Sequence, residues 1–165
     1  MKKVFVAIVV LVLSMASANV FAIDTKKQNL IISKCDQIKE DLVTLQHNDA
    51  RTRVYLGRYY ETILNKFIVP LNLRLVENNT SNAGLIENQS NFSTVRGKFV
   101  EDFISYQKGL EELVAMDCKN EPGQFYEKLV TVRAKRATAN KNVLKLRELA
   151  GKQVELVTTL TEKIK

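Results

Sequence analysis

The sequence predicts an all-α protein, a long antiparallel three-helix bundle of coiled-coil-like character. Three observations carry that reading. Apolar residues recur at steps of four and three over most of the chain, which is the repeat of a packed helical seam. Pro70 and Pro122 are the only prolines, so little breaks a helix. No alternating apolar and polar run is flanked by Gly or Asn-Gly turns, so hairpin strands lack their usual signal. Leu71, Leu73 and Leu75 do alternate with polar residues, yet Phe67, Leu71 and Leu75 also fall at helical spacing.

The chain opens with Lys2 and Lys3, an apolar run from Val4 to Leu13, and then small residues. That order predicts a secretory signal peptide over residues 1–22. Val20 and Ala22 suit the positions before a cleaved bond, with cleavage after Ala18 as the alternative. The apolar run is ten residues long, whereas a spanning helix needs about 20. No later segment is apolar enough to span a bilayer. The expected location is therefore secreted, periplasmic or cell-surface, and the Lys-Lys start with a short apolar core reads as bacterial. Residues 23–165 form the expected single domain. Net charge falls from +7 to +5 once Lys2 and Lys3 leave, an excess that favours anionic neighbours. Export makes nucleic acid an unsuitable partner.

The first expected helix runs over about 25–77. From Ile31, steps of four and three reach Cys35, Ile38, Leu42, Leu45, Asp49, Thr52, Leu56, Tyr59 and Ile63. The phase does not break at Asn48-Asp49, where a turn would reset it. The seam then drifts to Phe67 and meets Pro70, which should kink the helix at about 3 kcal/mol unless packing compensates. ENNTSNAG, residues 77–84, is the strongest turn signal after the leader. A second helix, about 83–117, carries Leu85, Phe92, Val95, Phe99, Phe103, Tyr106, Leu110 and Leu113 on one face. Glu121 and Pro122 suit the start of the third, about 121–165. Its stations are Phe125, Leu129, Val132, Arg136, Ala139, Val143, Leu146, Ala150, Gln153, Val157, Leu160 and Ile164.

Cys35 and Cys118 are the only cysteines, and an even number in an oxidising compartment predicts a disulfide. They also arbitrate between architectures. In a four-helix up-down bundle turning at 48–50, Cys35 would lie about 20 Å from Cys118 at 1.5 Å per residue. A bridge needs Cα atoms within about 7 Å. A single first helix folding back as a hairpin brings them level.

That register places Thr52 opposite Glu101 with Asp102 beside it, and Arg136 at the same height on the last helix. It predicts a polar layer of Asp49, Thr52, Asp102 and Arg136, joined by Arg53, that fixes register. Carboxylates beside an arginine stay ionised and make poor general acids.

Catalytic constellations are missing. His47 is the sole histidine and reads as a solvated helix position. One His and two bridged Cys exclude the common zinc and haem arrangements, so no metal or cofactor is expected. No Gly-x-Ser-x-Gly motif or phosphate-cradling Gly loop occurs. Two contact regions are candidates. Arg133, Lys135, Arg136, Lys141, Lys145 and Arg147 form a basic run, either a solvated face or a contact for anionic polymer or lipid headgroups. Asn78, Asn79, Asn88 and Asn91 each begin an N-x-S/T triplet, read as an Asn-rich loop and first helical turn and a candidate tip contact.

The expected function is a non-enzymatic binding or spacer module of the cell envelope or surface, with an envelope or surface protein, anionic polymer or lipid headgroup as partner. The alternative is a periplasmic chaperone-like or lipid-contacting protein, which needs an exposed apolar groove. Ile32, Val54, Ile68 and Val69, off the main seam, supply residues for one.

Overall fold

The computed structural model describes residues 24–80 and 82–164, and the leader therefore lies outside the described residues. Four α-helical segments follow one another: α1 (Thr25–Thr62), α2 (Val69–Glu77), α3 (Ala83–Ala115) and α4 (Pro122–Ile164). A π-helical turn, Ile63–Ile68, joins α1 to α2, so these two are one uninterrupted rod and the bundle has three members. No strand occurs among the described residues. The first rod passes straight through Asn48-Asp49, and the four-helix alternative falls away.

Each helix end has a local cause. Asp24 caps α1, its Oδ1 accepting from the Lys26 N–H at 3.2 Å. At the far end Asn79 takes a left-handed conformation, φ 55°. The Thr80 N–H reaches the Leu75 carbonyl at 2.8 Å and the Asn79 N–H reaches that of Val76 at 3.0 Å. These are the two bonds of a Schellman stop, which asparagine tolerates better than most side chains. Asn82 then caps α3 through Oδ1, accepting from the Gly84 and Leu85 N–H groups at 2.9 and 3.4 Å. Asp117 holds the second corner, its Oδ1 accepting from the Lys119 and Asn120 N–H groups at 3.0 and 3.1 Å. Those bonds hold its carboxyl below the usual carboxylate range. Pro122, whose missing N–H costs nothing in a first turn, opens α4.

The core follows the predicted stripes on α3 and α4. Leu85, Phe92, Phe99, Phe103, Tyr106, Leu110 and Leu113 are buried, and they meet Phe125, Val132, Ala139, Leu146 and Leu149. Burying one such Phe or Leu contributes about 1.5–3 kcal/mol. Gly109 lets α3 and α4 approach closely, since a Cβ there would lie 3.3 Å from Val132 Cγ2. Cys35 and Cys118 form the disulfide with Cα atoms 5.7 Å apart, and Lys119 pairs with Asp36 at 2.8 Å beside it.

The stripe on the first rod differs from expectation beyond Leu56. Tyr60, Leu64, Ile68 and Asn72 are buried, while Tyr59 and Phe67 are exposed. The shift begins at Tyr60, an ordinary step of four from Leu56 within α1, and continues through Leu64, so Ile68 stands in the core in place of Phe67. Pro70 would collide with the carbonyl four residues back and has no N–H to donate; the wide turn before it carries the Val69 N–H to the Leu64 carbonyl, a five-residue step. Of the residues placed off the main seam, Ile68 is buried and Val69 half-buried, whereas Ile32 and Val54 are exposed.

Candidate functional site

Halfway along the bundle α1, α3 and α4 do not close on one another completely. The result is a cleft of about 470 Å³, within the size range of small-molecule sites. Its floor is apolar, formed by Leu56, Phe99, Phe103, Ala139 and Val143, and its rim carries Arg53, Arg133, Arg136 and Asn140.

One end of the cleft is a fixed polar wall. Arg136 grips Asp49 with both prongs, Nε to Oδ2 at 2.6 Å and Nη2 to Oδ1 at 3.0 Å. The Tyr106 hydroxyl donates to the same Oδ2 at 2.8 Å. Burial by itself would raise the Asp49 pKa; the bonds from Arg136 and Tyr106, with the Arg136 charge, outweigh it and leave the carboxyl below its ordinary value. Tyr106 moves the other way: burial first, then the bond and charge of Asp49, hold its phenol well above the usual range. The wall is thus an ionised carboxylate and a neutral phenol throughout the physiological range. Three hydrogen bonds converge on Asp49, which thereby fastens α1 to α3 and α4.

The predicted polar layer is therefore only partly assembled. Asp49 and Arg136 meet, although Arg136 remains half exposed, its side chain 51% accessible against 15% for Asp49. Thr52 is exposed and donates to its own helix, to the Asn48 carbonyl at 3.0 Å. Asp102 lies a turn further along α3, where it accepts from Asn142 Nδ2 at 2.6 Å and does not reach Arg136. Tyr106 occupies the place expected for Asp102. Arg53 sits over the Phe103 ring, its guanidinium carbon 5.6 Å from the centroid, which combines cation and ring face at the mouth of the cleft.

The basic run of α4 is dispersed around the helix. Arg133 and Arg136 face the cleft. Lys135 leans on α3, donating to the Ser105 carbonyl at 3.4 Å. Lys145 pairs with Glu148 on its own helix, and Lys141 and Arg147 are exposed. What gathers charge is the meeting of two helices: Arg53 from α1 and Arg133 from α4 flank one apolar floor. Among the described residues neither has an acidic partner within salt-bridge distance.

The tip differs more. Asn78 and Asn91 are exposed, but Asn78 donates to the Arg74 carbonyl at 2.7 Å and Asn79 supplies the left-handed stop. Asn88 is fully buried and offers nothing to a partner from outside. Its Nδ2 donates to the Leu149 carbonyl at 3.1 Å and to Gln153 Oε1 at 2.8 Å. Asn72 does the equivalent between α2 and α3, donating to the Leu85 carbonyl at 3.1 Å and Gln89 Oε1 at 2.7 Å. These amides form the buried polar layer that joins the helices, well away from the cleft.

His47 is exposed on α1. No group of three or more His, Cys, Asp or Glu side chains among the described residues could hold a metal ion, and none of their helices is long and apolar enough to cross a membrane. No family model matches the sequence, and no curated protein or solved structure matches it either.

Proposed function

We propose that this protein is an exported, non-enzymatic binding module of the cell envelope or surface, and that the mid-bundle cleft receives the anionic end of an amphiphilic ligand. One observation carries the reading: Arg53 and Arg133 flank an apolar floor of Leu56, Phe99, Phe103 and Val143, and among the described residues no acidic side chain lies within salt-bridge distance of either. Guanidinium groups suit carboxylate, sulfate and phosphate ends because their forked donors bind two oxygens at once. The floor suits an alkyl or ring portion. Arg136, already clamped on Asp49, holds the end of the cleft rigid so that little ordering accompanies binding. A pure spacer has no use for a cleft of this composition.

Calorimetric titration with a matched pair of ligands tests this. Decyl phosphate should bind saturably at one site, and decyltrimethylammonium should not. Arg53→Gln with Arg133→Gln should weaken decyl phosphate by about 10- to 100-fold, two half-exposed charge-assisted contacts being worth less than buried ones. Equal binding of the cationic ligand, or none of the anionic one, would discard the cleft reading in favour of a spacer.

A further inference from the structure

A second surface lies on the outer side of α1 and is independent of the cleft. Arg51, Val54, Tyr55, Arg58, Tyr59 and Thr62 follow one another at helical spacing along a single exposed face. Val54 is 50% exposed, Tyr55 69% and Tyr59 50%, and Phe67, 66% exposed, extends the line into the π-helical turn beside Lys66. The two tyrosine rings stack, with centroids 6.4 Å apart and planes 8° from parallel. A solvent-facing helix surface is ordinarily polar; here Val54, Tyr55 and Tyr59 alternate with Arg51, Arg58 and the neutral Thr62. Arg51, Arg58 and Lys66 have no acidic partner within salt-bridge distance among the described residues. Glu61, the one acid between Ala50 and Val69, is turned to Arg96 at 3.5 Å.

We infer that this face docks flat on an anionic phospholipid surface, with the tyrosines at headgroup depth and the three cations on lipid phosphates. The shape and charge favour that occupant. The patch from Ala50 to Thr62 is lined by residues of α1 alone, with no side chain of another helix walling it, so it fits a plane better than it fits a peptide. A second copy is disfavoured, because two such stripes brought together would oppose cation to cation. Tyrosine belongs at the boundary between headgroups and acyl chains, where its ring is covered and its hydroxyl stays wet. Basic side chains flanking such rings are the signature of a helix lying in the interface without spanning it. The inference rests on α1 and the π-helical turn that continues it and stands or falls separately from the ligand of the cleft.

Vesicle co-sedimentation of the natively processed protein decides it. Binding to vesicles containing phosphatidylglycerol, and not to pure phosphatidylcholine, is expected, weakening as salt rises. Arg51→Gln, Arg58→Gln and Lys66→Gln together should lower the partition coefficient roughly 100-fold, each charge near an anionic surface being worth about fivefold. Tyr55→Ser with Tyr59→Ser should lower it about tenfold through lost ring burial. Arg51, Tyr55, Arg58 and Lys66 are exposed, whereas Tyr59 meets the buried Tyr60 ring edge-on at 5.2 Å. Helicity and Tm are therefore measured on each variant, and Tyr55→Ser alone, which leaves that contact in place, should still weaken binding. A control set of equal charge, Lys26→Gln, Lys98→Gln and Lys152→Gln, should do little. Equal loss in the control would assign the attraction to overall charge and overturn the docking face. So would tyrosine variants that bind normally, absence of vesicle binding, or self-association that the tyrosine changes abolish.

Discussion

Replacing Arg136 with alanine should destabilise the bundle near neutral pH and destabilise it less at pH 3. Asp49 accepts three hydrogen bonds, two of them from Arg136 at 2.6 and 3.0 Å. A bond to a charged group is worth about 1.5–3 kcal/mol when buried. Asp49 is largely covered, but the Arg136 side chain is 51% accessible, so water replaces part of what is lost. Tyr106 also still serves one oxygen. The expected cost is about 1–2 kcal/mol for the pair of bonds together, or a Tm lower by about 3–7 °C in a chain of this size. The pH dependence follows from the direction of the Asp49 shift. Its folded pKa is depressed, so its contribution is present above the unfolded carboxylate value of about 3.9 and is lost as pH falls through the folded one. Urea unfolding of parent and Arg136→Ala at pH 7 and pH 3, with equal m-values, isolates the difference. The same loss at both pH values would show that Arg136 acts through its aliphatic stem and not through Asp49. No loss at pH 7 would show that the clamp contributes nothing.

Three further outcomes are expected from the same framework. Cys35→Ala with Cys118→Ala opens a loop of sequence separation 83, which the loop-entropy model values at about 4.5 kcal/mol; reduction of the parent should lower its Tm by a similar amount, and a change below about 3 °C in both would count against that model here. Gly57→Ala and Gly97→Ala, where a Cβ meets nothing within 4 Å, should each stabilise by about 1 kcal/mol in thermal melts, while Gly109→Ala, pressed against Val132, should gain little. Asn88→Ala should cost about 2 kcal/mol by stranding Gln153, and Asn88→Leu with Gln153→Leu should recover most of it; denaturant midpoints measure both.

The three-helix architecture and the half-bundle packing were legible because they rest on a repeat that few residues interrupt. The Cys35–Cys118 spacing then selected one long first helix over two short ones. The choice of Tyr60 over Tyr59 was not legible, since steps of four and of three are both ordinary helical spacings, and the π-helical turn that follows leaves no compositional mark beyond the proline that it accommodates. The Asp49–Arg136 pair came from register alone. Asp102 was misplaced because a few ångströms along α3 separate meeting Arg136 from meeting Asn142, and side-chain reach decides such matters. Asn88 was grouped with its neighbours as loop and first turn because its triplet resembles theirs; its position in the second turn of α3, facing Gln153, turns it inward. The cleft itself could not be read from any one segment. Arg53 and Arg133 are 80 residues apart in the chain, and a basic run considered on one helix hides the pair that two helices assemble.

The most direct test of the cleft follows the arginine side chains by NMR while decyl phosphate is added. Saturable shifts of the Arg53 and Arg133 Nε–H signals are expected, with Val143 and Leu56 methyls moving at the same concentration and the clamped Arg136 Nε–H moving least. Shifts confined to exposed lysines, or an Arg53 and Arg133 response that never saturates, would contradict a binding site there.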